Sequence, residues 1–320
     1  MTSIFSSNFK GQLQDFIRQK RAIGFPYLES ELRLRAFDRF CIKHYPQDKK
    51  LTKEIAMHWA EQLPDEHVNT LIRRITPIRQ FAKYLNSIGI EAYVIPSGIP
   101  AKGIRYVPHI YTKDELRAFF HALDQCDYNR NFPARYLVVP VIFRVLYCCG
   151  LRSSEVIGLK VEDVDLTTGK LAIRQSKGHK DRTVMMSEDV LKLCQIYHKE
   201  VSLIFPGRTY FFPNHRGHRH GKDFLDRNFH EFWDKAGIGS VSGNSPRVHD
   251  FRHTFAVNRL NQWVKEKRNL NAYLPYLSIY LGHEHLTETD YYLHLVPEFF
   301  PELTAESEER FSFLIPEVKE

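Results

Sequence analysis

The sequence predicts a mainly α-helical protein with one small antiparallel β-sheet, built as an N-terminal helical bundle followed by an α+β domain. Three observations carry this. Residues 1–90 hold apolar side chains at helical spacing, and residues 91–109 are rich in proline and glycine without any period. One later segment, Val161 to Met186, alternates and is β-branched as strands are.

In chain order, FKGQLQDFIRQKRAIG, LESELRLRAFDRFCIKHY, TKEIAMHWAEQL and HVNTLIRRITPIRQFAKYLNSIG each read as a helix. Gly24 and Gly89 stand where C-terminal caps fall, and Pro26 follows the first. Pro77, inside the fourth stretch, is expected to kink or split it. Residues 91–109, EAYVIPSGIPAKGIRYVPH, read as an interdomain linker. The second domain, 110–320, opens on YTKDELRAFF, where Thr112 and Glu115 form a capping-box pattern. ARYLVVPVIFRVLYCCG reads as a buried helix ending at Gly150, kinked at Pro140. The strand segment carries turn signals at Thr168–Gly169 and Lys177–Gly178. Ser187 starts another helix, and the chain from KDFLDRNFHEFW onward is again mostly helical.

A length of 320 residues suits two domains, and 43% hydrophobic with 26% charged residues fits a folded chain. No apolar run approaches the ~20 residues that span a bilayer, and the N-terminus has no signal-peptide pattern, so a cytoplasmic protein with no membrane partner is expected. Five cysteines, an odd number without CxxC, point to reduced, buried thiols rather than disulfides or a zinc site. A net charge of +7 and a pI near 9.0 make a polyanionic partner plausible, because Lys and Arg displace counterions from a phosphate backbone.

Four separated segments concentrate polar residues that packing alone explains poorly. They are CGLRSSE with Arg152 just beyond a helix end, SKGHKDR with Lys177 in a hairpin turn, HDFRH with His249 and Arg252 at a helix start, and LGH with His283, followed by TETDYYLH. In this order, GLRSSEVIGLK, SKGHKDRTV, HDFRHTFA and LGHEHLTETDYYLH resemble the motifs of the tyrosine recombinase (phage integrase) family. The motif region runs from about Thr112 to Leu295, and the helical first domain extends the likeness to nearly the whole chain.

The resemblance implies a core-binding (SAM-like) DNA-binding domain at 1–90 and a catalytic domain at 110–320. It matches the catalytic set to Arg152, Lys177, His249, Arg252, His283 and the nucleophile Tyr292, with Glu155 as the acid supporting Arg152. The family has an apolar residue just before the tyrosine; here that place is Tyr291, so a second phenol stands beside the matched one. The implied partners are double-stranded DNA with paired core sites and a homotetramer in the synaptic complex; no cofactor and no metal are implied, and accessory proteins stay unspecified. Because the bundle begins almost at once, no additional N-terminal arm-binding domain is expected.

The chemistry suits these residue types. Two planar, permanently charged guanidinium groups can grip both non-bridging oxygens of a phosphodiester, which become more negative during attack. A phenol with a reference pKa of about 10 needs cationic surroundings or a base, for which His249 is the candidate. Lys177 can protonate the departing 5′-oxygen, and His283 can donate to the phosphate. Singly, each residue has an ordinary structural reading: Arg152 as a helix C-terminal cap, Lys177 as a solvated hairpin residue, His249 and Arg252 as a cap and an ion pair, His283 as a satisfied histidine, Tyr292 as a core aromatic. Jointly and in order, the chemical reading prevails. Two rivals remain: a type IB topoisomerase, which shares the chemistry but would need no pair of specific sites, and a catalytically silent DNA-binding protein on the same fold.

Further positive charge is available to DNA from Arg73, Arg74, Arg79 and Lys83 in the bundle, Lys102 and Arg105 in the linker, and Lys180 and Arg182 along the hairpin. Solvated faces account equally well for those in the bundle and linker. The run His215–Arg216–Gly217–His218–Arg219–His220 has no cysteine or carboxylate to complete a metal site and reads as a basic loop near DNA. The tail after Tyr292 carries an apolar cluster, Phe311, Phe313, Leu314 and Ile315, which needs a surface: either its own domain or, as the resemblance favours, a neighbouring protomer.

Overall fold

The structure is a computed structural model that describes residues 4–100, 103, 106–174, 181–239 and 245–294, with the backbone alone at 293 and 294. It divides into two compact units, Met1–Tyr106 and Val107–Glu320.

The first unit contains α1 (Lys10–Ala22), α2 (Leu28–His44), α3 (Lys53–Ala60) and α4 (Val68–Ser87). Their inward faces carry Leu13, Phe16, Leu34, Phe37, Ile55, Ile75, Ile78 and Phe81, all at most 1% exposed. Burying each such side chain contributes about 1.5–3 kcal/mol, which is why helical periodicity alone located these elements. Gly24 and Gly89 follow α1 and α4 with φ of +90° and +81°, a left-handed turn that glycine adopts without strain. Pro77 does not split α4, which runs unbroken through it. Pro77 is itself buried in the apolar face, and packing of a long amphipathic helix outweighs one lost backbone bond. Beyond α4, Ala92 and Ile95 are buried with this core, and the Tyr93 amide donates to the Leu51 carbonyl at 2.8 Å.

The second unit opens with α5 (Lys113–Asp124), where Thr112 and Glu115 make the reciprocal capping box. α6 (Arg135–Cys148) passes without a break through Pro140, where a kink is expected, and six of its side chains are at most 1% exposed in the centre of the core. α7 (Ser153–Gly158) and a 3-10 turn lead to β1 (Val164–Asp165), β2 (Lys170–Ile173) and β3 (Arg182–Met185). The strands form an antiparallel sheet in the order β1-β2-β3, with Leu171 paired to Val184 and Ile173 to Arg182. Leu171, Ile173 and Val184 point into the core, and alternate residues point out. Then come α8 (Glu188–Ile204), α9 (Phe224–Lys235), α10 (Asp250–Lys265), α11 (Leu270–Leu281) and α12 (Thr287–His294).

α10 joins two cores. Phe251 stacks on Tyr111 with ring centroids 4.6 Å apart and sits in the main cluster. Ala256, Val257 and Leu260 pack instead with Leu274, Leu277, Leu281 and Tyr292. α10 is thereby held from both sides, its first turn by Phe251 and its later turns by Ala256, Val257 and Leu260. Of the five free cysteines, four are buried, whereas Cys148 is exposed, unlike the expectation for all of them. Among the described residues, no helix is long and apolar enough to cross a membrane.

Candidate active site

The site begins where α6 ends. Gly150 has φ +59°, and a Cβ there would come within 2.6 Å of the Phe255 ring, so the reversal into α7 needs glycine. Arg152 then occupies the N-cap of α7. Its amide donates to Glu155 Oε2 and its Nη1 to Glu155 Oε1, both at 2.9 Å. Burial alone would push the Glu155 carboxyl up; the hydrogen bonds and charge of Arg182, the Arg152 amide and the charge of Arg252 bring it down to about 2.

α11 ends on Gly282, whose φ is +66°, and the His283 amide reaches back to the Ser278 carbonyl at 3.0 Å. Carbonyls at a helix C-terminus lack intrahelical donors and carry the negative end of the helix dipole. Here three in succession accept from three arginines: Tyr280 from Arg182 Nε at 2.7 Å, Leu281 from Arg252 Nη2, and Gly282 from Arg152 Nη2 at 2.7 Å. Arg252, 2% exposed, also donates through Nη1 to the Gly150 carbonyl at 2.8 Å. Burial and the neighbouring Arg152 pull Arg252 down to about 10, so it remains charged at neutral pH.

His249 stands at the N-cap position of α10 without a side-chain capping bond, and His253 follows one turn later on the same face. Burial, with Arg252 next, lowers His249 to about 4; burial, with His249 next, lowers His253 to about 3. Burial and Arg252 lower His283 to about 3 as well. All three imidazoles are therefore neutral at pH 7. His283 Nδ1 is 2.7 Å from the hydroxyl of Thr289, which is fully buried. Tyr292, 2% exposed, lies with its ring 5.5 Å from that of His253 and 6.0 Å, nearly parallel, from that of His283. Burial raises its pKa; the charge of Arg252, hydrogen bonding to it, and the charge of Arg152 oppose the rise.

Arg152, His249, Arg252, His283 and Tyr292 line one cleft of about 300 Å³, together with His253, Gly282, Glu284, Glu288 and Tyr291. Chain positions 140 residues apart thus converge, with Glu155 bonded behind Arg152. Lys177, Lys180, Lys102 and Arg105 lie outside the described residues, as does the tail beyond His294.

Four of the other expectations change. Arg182 does not offer charge along an exposed hairpin: its side chain is 6% exposed and bonded to Glu155 and Tyr280. Arg74 is 11% exposed, paired with Glu66 and lying over the Trp59 ring, so its charge is spent inside the bundle. Arg79 donates to the carbonyls of Ile95, Pro96 and Ile99 and ties down the chain after α4. His220 is 7% exposed and stacked 3.6 Å from Phe224, which removes it from the supposed basic loop. Arg73 and Lys83 are exposed. Among the described residues, no group of three potential metal ligands exists. Sequence reasoning missed Thr289 and assigned no role to His253, although the four-residue spacing from His249 placed the latter on the same helical face.

Residues 110–298 match the phage integrase family. A putative integrase/recombinase, y4rB, of Sinorhizobium fredii is 30% identical over 312 residues, covering 95% of this chain and 98% of that protein. Among solved structures, XerH site-specific recombinase bound to palindromic difH substrate, a post-cleavage complex, superposes with a TM-score of 0.66 at 19% identity, over 93% of this chain and 84% of that one. A lambda integrase tetramer bound to a Holliday junction gives 0.62 at 14% identity, over 88% and 76%. At these identities the two structures speak for the fold.

Proposed function

Because the chain belongs to the phage integrase family of tyrosine recombinases, and so is an enzyme of site-specific DNA recombination, we propose that it breaks and rejoins DNA through a covalent 3′-phosphotyrosine on Tyr292. The observation that carries this reading is the pair Arg152 and Arg252, both anchored on the last carbonyls of α11 beside the buried phenol.

Each guanidinium has five N–H donors, and those not engaged with the backbone can take the non-bridging oxygens of a phosphodiester. Their charge offsets what develops on phosphorus oxygens during attack and favours the phenolate of Tyr292. His249, neutral at working pH, accepts the phenol proton. His283 keeps Nδ1 against the Thr289 hydroxyl and, in the tautomer with its proton on Nε2, donates to the phosphate. Lys177 protonates the departing 5′-oxygen. The aryl phosphate conserves the energy of the broken bond, so a 5′-hydroxyl from a second strand can reverse the step without ATP.

In this reading residues 1–90 hold the core site, 91–109 link the domains, and 110–320 carry the chemistry, placing the enzyme with the nucleoid. Arg73 and Lys83, exposed on the bundle, contribute phosphate contacts. Two duplex core sites are paired by four protomers through a Holliday junction, an assembly supported by the tetrameric lambda integrase complex that shares the fold. The tail beyond Ala305 docks on a neighbouring protomer; its deletion should impair assembly more than DNA binding. Similarity to an integrase/recombinase over 95% of the chain supports recombination over simple relaxation.

The test uses nicked duplexes cut from DNA flanking the gene, incubated with the unaltered protein, Tyr292→Phe and Tyr291→Phe and resolved on a denaturing gel. A protein–DNA adduct lost only in Tyr292→Phe is the expected result. Loss only in Tyr291→Phe moves the nucleophile by one residue. No adduct despite specific binding overturns the reading.

A further inference from the structure

One side chain in the cleft is used neither by the motif match nor by the chemistry above. His253 meets His249 edge to face, with centroids 4.9 Å apart and 87° between planes, and also approaches Tyr292 at 5.5 Å and Tyr291 at 6.4 Å. Its Nδ1 is buried and has no hydrogen-bond partner among the described residues. Buried polar nitrogens are almost always satisfied, and an exception inside a reactive cleft calls for a reason.

The Tyr292 hydroxyl has the complementary need. Arg152 and Arg252 can only donate to it, so before His249 takes its proton the hydroxyl needs an acceptor that fixes its direction. Two imidazoles flank the phenol ring, His253 and His283. His283 has committed Nδ1 to Thr289, while His253 keeps Nδ1 uncommitted among the described residues. Burial beside His249 and Arg252 keeps His253 neutral, which preserves a lone pair for accepting.

Resting on Tyr292 as the nucleophile, we propose that His253 is a positioning residue: when DNA binds, its imidazole, whose Nδ1 is unbonded among the described residues, takes a hydrogen bond from the Tyr292 hydroxyl and turns the phenol oxygen toward the phosphate held by Arg152 and Arg252. The bond orients the hydroxyl as the phosphate is seated; in the attack step the phenol's single proton swings from His253 to His249, which accepts it as the oxygen bonds to phosphorus.

The experiment uses the full chain and a nicked duplex bearing its site, and follows the rate of adduct formation, DNA affinity and thermal midpoint. His253→Leu removes the acceptor, whereas His253→Asn keeps an amide oxygen near the place of Nδ1. His253→Leu is expected to slow cleavage about 100-fold, the scale of a misplaced reacting group, with DNA affinity unchanged. His253→Asn is expected to recover most of that loss. On a duplex with sulfur at the bridging 5′ position, whose departure needs no acid, the His253→Leu defect should persist. His253→Phe replaces His253→Leu if the latter does not fold. Cleavage by His253→Leu at the unaltered rate, failure of His253→Asn to recover, or relief of the defect by the sulfur duplex would each overturn this role. An adduct that persists in Tyr292→Phe would instead overturn the nucleophile assignment, and the role with it.

Discussion

Glu155 and Arg182 face each other through two hydrogen bonds of 2.8 Å, one from each terminal guanidinium nitrogen to each carboxylate oxygen. The side chains are 3% and 6% exposed. Since Glu155 also holds Arg152 and Arg182 also holds the Tyr280 carbonyl, this pair fastens β3, α7 and the end of α11 to one another.

Removing one partner of a buried pair strands the other charge. Glu155→Ala should lower stability by about 3–5 kcal/mol in urea unfolding. Arg182→Lys should also be harmful, because an ammonium cannot reproduce the two-pronged contact. In both variants adduct formation should slow more than DNA binding weakens, since Arg152 loses its support.

Gly282→Ala tests the helix end. The position has φ +66°, and an added Cβ would lie 2.9 Å from Arg182 Nη1. The backbone alone should cost about 1–2 kcal/mol, and the contact with Arg182 adds to it. A thermal midpoint equal to that of the unaltered protein would contradict the described geometry.

Acid should loosen this region early. His249, His253 and His283 are held near 4, 3 and 3, below the ordinary 6.5, and Glu155 near 2, below 4.5. Each binds its proton more weakly folded than unfolded, so the linked stability is complete above about pH 6.5 and declines as pH falls. The histidines act first, from 6.5 downward, and Glu155 follows below 4.5. Thermal midpoints between pH 8 and 4 should fall, and His283→Gln should flatten the slope; a level profile from pH 7 to 5 would refute this.

In the first unit, exposed and buried cations should separate cleanly. Arg73→Ala and Lys83→Ala should leave stability within about 0.5 kcal/mol and each reduce the salt dependence of DNA binding by about one ion. Arg74→Ala should destabilise the bundle, because Glu66 is left 7% exposed without its partner. Urea titrations and binding at several salt concentrations distinguish the two behaviours.

Much of this was legible where the determinants are local. Apolar spacing found α1 to α4, and Thr112 with Glu115 marked the start of α5 because a capping box spans only three residues. The motif residues stood out as polar groups at element ends. What stayed hidden depends on distant partners. Arg182 reads as hairpin charge until Glu155, 27 positions away, and Tyr280, 98 positions away, are brought to it. Pro77 reads as a kink or a split because local rules do not weigh the packing that carries α4 through it. The carbonyls of residues 280–282 could not be read at all, since every residue has one.

That last feature governs how the chain can drift. The groups at the end of α11 that hold Arg152, Arg182 and Arg252 belong to the main chain, so no exchange of side chain at Tyr280 or Leu281 deletes them. What limits exchange at those two positions is packing, since Leu281 is 0% exposed and Tyr280 stacks on Phe255, and not these bonds. An insertion or deletion of one residue in the last turn of α11 is another matter. It would rotate the helix end by about 100° and present the wrong carbonyls to all three arginines together.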